Sequence, residues 1–108
     1  MEPQSPLYNL ESLQKAAKNE LIILGNQASI KIEELEYSLE EVCRAIVNIK
    51  QNEYWKSIPY VDERTRNDIS CDVYKTIFQR SSGKTVNLYI KLRLSASGYI
   101  FLASFKLK

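Results

Sequence analysis

The fold is decided by the stretch at residues 71–108, which reads CDVYKTIFQR, SSGK, TVNLYIKLRL, SASG and YIFLASFKLK. Three runs rich in β-branched and aromatic residues, 71–80, 85–94 and 99–108, alternate with two short breaks. Both breaks contain Ser and Gly, which are residue types of tight turns, and the pattern is typical of two successive hairpins. The stretch therefore predicts three antiparallel strands.

The middle run, 85–94, defines the two faces of the predicted sheet. Its apolar positions are Val86, Leu88, Ile90, Leu92 and Leu94, and the positions between them are Thr85, Asn87, Tyr89, Lys91 and Arg93. Because successive side chains of a strand point to opposite faces, one face is expected to be buried and the other to meet water or a ligand.

The register of the strands depends on the length of the two loops. With loops of four residues, Tyr89 lies beside Ser104, and Lys106 lies opposite Asn87 on the same face. In this register Cys71 points to the buried face. A slip of one residue would move every side chain to the other face.

The composition is that of an ordinary globular protein. The length of 108 residues predicts a single domain, with a helical part at about 1–58 and a sheet at about 69–108. No apolar run approaches the roughly 18 residues of a membrane span, and the N-terminus lacks the pattern of a signal peptide. A cytoplasmic location is therefore expected.

The chain has two cysteines, Cys43 and Cys71, and no histidine. Two cysteines without a metal-binding spacing indicate buried, small apolar side chains. The lack of histidine excludes a Ser-His or Cys-His nucleophile pair and any His-ligated metal. Acid–base chemistry would have to use carboxylates, Lys, Tyr or Cys, and no metal or other cofactor is expected.

Charge is distributed unevenly along the chain. Residues 1–55 carry five Lys/Arg and nine Asp/Glu, a net charge of −4, whereas residues 56–108 carry ten and four, a net charge of +6. A basic sheet half indicates a polyanionic partner such as nucleic acid. The alternative is a solvated basic surface that opposes aggregation.

The N-terminal half predicts two amphipathic helices that pack on the apolar side of the sheet, which makes the fold α+β. Asn9 is placed to cap the first helix, and Gly25 is placed to end it. Ser38 and Glu41 form an S-x-x-E capping box for the second helix. The link at 27–32 fits either a short strand or a turn of helix.

An aromatic segment, with Tyr54, Trp55 and Lys56, lies between the helices and the predicted sheet. The two rings either cover the end of the core or form a stacking platform beside Lys56. The polar loop that is expected next carries Arg64 and Arg66 as candidate contacts to an RNA backbone.

Short segments at 54–57 (YWKS), 71–74 (CDVY), 89–91 (YIK) and 104–106 (SFK) follow one another in the C-terminal half. They resemble the aromatic–Tyr–Lys–Ser, Gln–Asp–Val–Tyr, Tyr–Leu–Lys and terminal Ser–Phe–Lys segments of one protein family. This is the motility quorum-sensing regulator (MqsR) family, toxins of bacterial type II toxin–antitoxin modules. The likeness covers about residues 53–108, and the N-terminal half agrees in pattern only.

The resemblance implies a RelE-like α+β fold and a metal-independent endoribonuclease that cuts mRNA. It also implies neutralisation by a cognate antitoxin, which is a DNA-binding repressor. The functional residues of the family carry over to Lys56, Tyr89 and Lys106. Where the family has a functional Gln, this chain has Cys71, whose thiol cannot replace an amide that both donates and accepts hydrogen bonds.

RNA cleavage without a metal needs attack of the 2′-OH on the phosphate, proton transfer to the leaving 5′-oxygen and stabilisation of the phosphorane. We assign Lys56 and Lys106 to phosphate contact and Tyr89 to proton transfer, as a hypothesis. Lys91 and Arg93 are candidate RNA contacts on the same face.

Other interpretations remain open. The basic face fits a non-catalytic module that binds RNA or an acidic protein, and Cys71 fits an inactive toxin that still binds its antitoxin at a sheet edge. Arg93 opposite Asp72 also fits a simple cross-strand ion pair.

Overall fold

The computed structural model describes residues 5–62 and 67–108, with side chains at 5–59 and 69–108. Its helices are α1 (Leu10–Lys18), α2 (Asn26–Glu34) and α3 (Leu39–Val47), and its strands are β1 (Ile22–Leu24), β2 (Tyr54–Asp62), β3 (Asn67–Gln79), β4 (Thr85–Leu94) and β5 (Ile100–Leu107). The predicted α+β class is confirmed. Across the described parts of the chain, no helix has the length and apolar character needed to cross a membrane.

The five strands form one sheet in the order β1-β5-β4-β3-β2. All neighbours are antiparallel except β1, which runs parallel to β5. The prediction of a purely antiparallel sheet is therefore wrong at this edge, and β1 and β2 lie where the sequence predicts helix or linker. β1 has only three residues, too few to show a period. The strand β2 was not predicted because Pro59 argues against a strand in the sequence; as an edge strand, however, β2 tolerates a proline.

The helix α1 begins where it is predicted. The Asn9 side chain accepts a hydrogen bond from the backbone N–H of Ser12 at 2.9 Å and so satisfies a free donor of the first turn. The helix ends early, at Lys18, because Glu20 has a left-handed φ of 55° and turns the chain into β1. Gly25, which was expected to end this helix, instead precedes α2. The link that follows is helical.

The start of α3 is also close to its prediction. Ser38 caps the helix, since its hydroxyl accepts a hydrogen bond from the Glu41 N–H at 3.1 Å. The Glu41 carboxylate does not complete the capping box, because it binds the guanidinium of Arg80 at 2.9 and 3.0 Å. This pair joins α3 to the hairpin between β3 and β4.

The hydrophobic core lies between the helices and one face of the sheet. The apolar positions of β4 that are buried there are Val86, Leu88, Ile90 and Leu92, as the alternation predicts. The helices contribute Leu10, Leu13, Ala16, Ala17, Ala28, Ile32, Val42, Cys43, Ala45 and Ile46. We call the opposite side of the sheet the open face. Its side chains include Lys56, Val73, Lys75, Tyr89, Lys91, Arg93, Ser104 and Lys106.

Both hairpin loops contain five residues, 80–84 and 95–99, rather than four. Each has a glycine with a left-handed φ, 93° at Gly83 and 86° at Gly98. In each loop the N–H of the first residue donates to the carbonyl of the last at 2.8 Å. Loops of this kind combine a turn with a glycine bulge, and the extra residue shifts both predicted registers.

The predicted neighbours of Tyr89 are therefore wrong. A further register shift at Lys91 leaves an unpaired residue in β5, so that Tyr89 lies directly opposite Lys106 rather than beside Ser104. In the first hairpin, the extra residue turns Cys71 onto the open face rather than into the core under the helices.

The carboxylate of Asp72 points to the helix side of β3 and is fully buried. It accepts hydrogen bonds from the backbone N–H groups of Leu7 at 3.0 Å and Tyr8 at 2.9 Å, and from the hydroxyl of Ser57 at 2.6 Å. The predicted ion pair between Asp72 and Arg93 is wrong, because the two side chains lie on opposite faces of the sheet.

Candidate functional site

The centre of the open face is Tyr89, in the middle of β4. The register places Lys75 of β3 directly opposite it on one side and Lys106 of β5 directly opposite it on the other. The ammonium of Lys106 lies 4.8 Å from the centroid of the Tyr89 ring. The phenol thus lies between two cations from neighbouring strands.

Trp55 joins this arrangement from the edge strand β2. A register shift between Tyr54 and Lys56 marks a bulge at Trp55, and its indole packs edge-to-face on Tyr89, with 6.3 Å between ring centroids and 75° between ring planes. Bulges re-aim side chains in this way. The ring of Tyr54 lies on the helix side instead, 5.7 Å from that of Tyr74. One aromatic therefore covers the core, and the other belongs to the open face.

Two lysines lie on the Trp55 indole. The ammonium of Lys56 is 4.0 Å from its ring centroid, and that of Lys75 is 3.3 Å away. Such cation–π contacts are worth about 0.5–1 kcal/mol at an exposed site and more when they are desolvated. We call Trp55, Lys56, Lys75, Tyr89 and Lys106 the aromatic–lysine cluster.

The structure brings the three predicted catalytic residues, Lys56, Tyr89 and Lys106, into this one cluster. Sequence reasoning missed Lys75 and left the position of Trp55 open. The signal for Lys75 was the period of two along β3, which puts it on the same face as Val73, but the assumed loop length assigned that face to the core.

The candidate RNA contacts on β4 extend the same surface. Lys91 and Arg93 follow Tyr89 at alternate positions and are half-buried. The Nε of Arg93 is buried and has no hydrogen-bond partner among the described residues. The other two candidates, Arg64 and Arg66, lie outside the described residues.

Burial raises the pKa values of two groups on this face. It raises the pKa of Tyr89, with a smaller contribution from Cys71. Burial also raises the pKa of Cys71 to about 11, against the opposing charges of Lys91 and Arg93. At neutral pH the phenol is therefore a proton donor rather than a phenolate base. The thiol is protonated and fully buried, so it is not a nucleophile.

The fold and this surface define a small α+β protein with a cationic, aromatic face on its sheet. A family model described as motility quorum-sensing regulator, toxin of MqsA, matches residues 5–107. The chain belongs to this family of toxins, and the family implies an antitoxin partner. No curated protein matches the sequence. The resemblance noted in the C-terminal half is confirmed and extends over the helices.

Proposed function

We propose that the protein is the toxin of a type II toxin–antitoxin system and acts as a metal-independent endoribonuclease on mRNA. The observation that supports this most directly is the aromatic–lysine cluster, in which Tyr89 lies between Lys75 and Lys106 and contacts Trp55. The cluster combines lysine ammonium groups with one phenol, which are groups suited to charge stabilisation and proton transfer at a phosphate. The proposal includes a RelE-like fold, a single domain spanning 1–108 and action in the cytoplasm.

In the proposed reaction, the ribose 2′-oxygen bonds to phosphorus while the bond from phosphorus to the 5′-oxygen breaks. The 2′-OH proton passes to solvent, and Tyr89 donates its phenolic proton to the leaving 5′-oxygen and regains one from water. Lys56 and Lys106 stabilise the negative charge of the phosphorane. The products are a 2′,3′-cyclic phosphate and a 5′-hydroxyl.

Incubation of the purified protein with a mixed-sequence RNA in EDTA tests this proposal. We expect cleavage with cyclic-phosphate ends, and a fall of about 10²–10³-fold in Lys56→Ala and in Lys106→Ala, because each loses a charge that stabilises the transition state. Lys15→Ala, on the helix side, is the matched control. Mapping the product ends yields the cleavage sequence.

Intact RNA with the wild-type protein would overturn the proposed activity. RNA binding without cleavage would then indicate a non-catalytic binding module. A protein that binds its antitoxin but not RNA would be an inactive homologue. The inactive homologue is favoured by one observation, the buried thiol of Cys71 on the open face where the family has a functional amide.

The proposed protein partner is a cognate antitoxin that binds DNA as a repressor. The strand β2 forms one edge of the sheet and carries Trp55 and Lys56. A partner that adds a strand there would lie directly beside the aromatic–lysine cluster. We therefore expect a stoichiometric antitoxin to block RNA cleavage, which a cleavage assay with the purified pair measures.

A further inference from the structure

Lys75 belongs to the aromatic–lysine cluster but has no assigned role in the proposed reaction. Its ammonium lies 3.3 Å from the Trp55 ring centroid, and that of Lys56 lies 4.0 Å from the same centroid. Among the described residues, no carboxylate forms an ion pair with either lysine. Like charges repel each other, and each ammonium makes a favourable cation–π contact with the same indole.

We propose that Lys75 binds a phosphate of the RNA next to the scissile one, and that Trp55 is a positioning residue for Lys75 and Lys56. This inference rests on the proposed function, because it takes RNA as the substrate. It assigns to β3 a phosphate contact beyond those attributed to Lys56 and Lys106.

The sheet geometry supplies the spacing. Lys56, Lys75, Tyr89 and Lys106 belong to the four consecutive strands β2, β3, β4 and β5. Neighbouring strands lie about 4.8 Å apart, so the row is roughly 14 Å long. An RNA backbone that crosses the strands would meet Lys106 on one side of Tyr89, and Lys75 and Lys56 on the other. A row of this length spans more than one phosphate.

Trp55 contributes position rather than chemistry. Lysine is a flexible chain whose ammonium ordinarily samples many positions in water, and fixing such a side chain on binding costs free energy. Because the indole already holds both ammonium groups over the open face, part of this ordering is complete before RNA binds. Another aromatic ring at this position would also hold the ammonium groups by cation–π contact, whereas an aliphatic side chain would not.

The test of Lys75 is the salt dependence of binding to an uncleavable 2′-O-methyl RNA oligonucleotide, followed by fluorescence anisotropy. Loss of one phosphate contact makes the negative slope of log K against log salt shallower by about 0.7 for a single strand. We expect this decrease in Lys75→Ala and no decrease in Lys15→Ala, which removes the same charge from the helix side. A slope in Lys75→Ala equal to that of Lys15→Ala would overturn the assignment.

The test of Trp55 uses the fact that it is the only tryptophan of the chain. A phosphate that binds the ammonium groups where they lie on the indole should change the intrinsic fluorescence of Trp55, and this change should shrink in Lys75→Ala. Trp55→Leu should weaken binding and lower its salt slope, while Trp55→Phe restores both. Equal thermal unfolding of the variants excludes misfolding, and equal RNA binding by Trp55→Leu and Trp55→Phe would contradict the positioning role.

The outcomes separate this inference from the proposed function. If the wild-type protein cleaves RNA through Lys56 and Lys106 while Lys75→Ala and Trp55→Leu behave like Lys15→Ala, only the present inference fails. If the wild-type protein binds the oligonucleotide without cleaving RNA, the activity fails and the phosphate contact is still measured. If it binds no RNA, both fail.

Discussion

At the scale of single residues, Tyr89 is placed to donate a proton. Burial raises its pKa above the ordinary value of 10.0, so the phenol stays protonated through the neutral and mildly alkaline range. We expect Tyr89→Phe to lower the single-turnover cleavage rate by roughly 10²–10⁴-fold, the usual contribution of a general acid. RNA binding should be nearly unchanged, since the phenylalanine ring still packs on Trp55.

The pH dependence distinguishes an acid from a base at this position. As an acid, Tyr89 is fully protonated from about pH 7 to about pH 9, and the ratio of wild-type to Tyr89→Phe rates should stay constant over that range. A phenolate base would make the ratio rise with pH, close to tenfold per unit. Rates measured at several pH values therefore identify the role, and a rising ratio would show that our assignment is wrong.

At the scale of secondary-structure elements, the pair between Glu41 and Arg80 joins α3 to the first hairpin of the sheet. The backbone N–H of Ser81 also donates to Glu41 at 3.2 Å, and Arg80 lies 3.7 Å from the centroid of the Tyr37 ring. Hydrogen bonding by Arg80 lowers the pKa of Glu41 despite its burial.

This pair predicts a pH-dependent stability. Because the pKa of Glu41 is lowered on folding, its contribution is complete above the unfolded value of about 4.3 and is lost as the pH falls through the folded value. Glu41→Gln should lower the free energy of unfolding by about 1.5–3 kcal/mol at neutral pH, and the difference should narrow in acid. Urea unfolding of both proteins at neutral and at acidic pH measures this difference in the free energy of unfolding.

An exposed ion pair is the matched control for that experiment. Lys31 and Glu34 lie 3.0 Å apart with half-exposed side chains, so Glu34→Gln should change stability by less than about 1 kcal/mol. A loss in Glu34→Gln equal to that in Glu41→Gln would mean that the buried pair has no special role.

The same elements show how far the sequence predicts the fold. Local signals succeeded: Asn9 and Ser38 cap their helices, and the alternation along β4 separates the two faces. Signals that depend on distant partners did not. No residue near Glu41 in the sequence indicates that its carboxylate will bind Arg80. The strand β1 pairs with β5, which lies far away in the sequence.

The candidate site was predicted in part for a related reason. Composition and resemblance identified Lys56, Tyr89 and Lys106, but their mutual positions depend on one extra residue in each hairpin and on a bulge in β5. An error of one residue in any of these registers moves every side chain of the strand to the opposite face of the sheet. Lys75 was overlooked because a first loop of four residues would place Lys75 and Val73 on the core face of the sheet.

At the scale of the whole molecule, Asp72 joins the beginning of the described chain to the sheet. Its carboxylate receives the N–H groups of Leu7 and Tyr8 from the N-terminal segment and the hydroxyl of Ser57 from β2. Although Asp72 belongs to the CDVY segment, which resembles the family's Gln–Asp–Val–Tyr, its side chain faces away from the aromatic–lysine cluster. We therefore assign it to stability and not to catalysis.

Two substitutions test this assignment. Asp72→Ala leaves the N–H groups of Leu7 and Tyr8 without their acceptor, whereas the Ser57 hydroxyl keeps the Tyr54 hydroxyl as a partner at 2.6 Å. The substitution should lower the free energy of unfolding by about 2 kcal/mol or more, since each unsatisfied group costs about 1–3 kcal/mol. Asp72→Asn keeps one acceptor oxygen and should lose less. Urea unfolding gives both values, and hydrogen exchange at the amides of Leu7 and Tyr8 should accelerate in the same order.

At a temperature where the variants stay folded, RNA should be cleaved at the wild-type rate per folded molecule, because Tyr89 lies on the other face. A stable Asp72→Asn protein that had lost cleavage would instead place Asp72 in the chemistry.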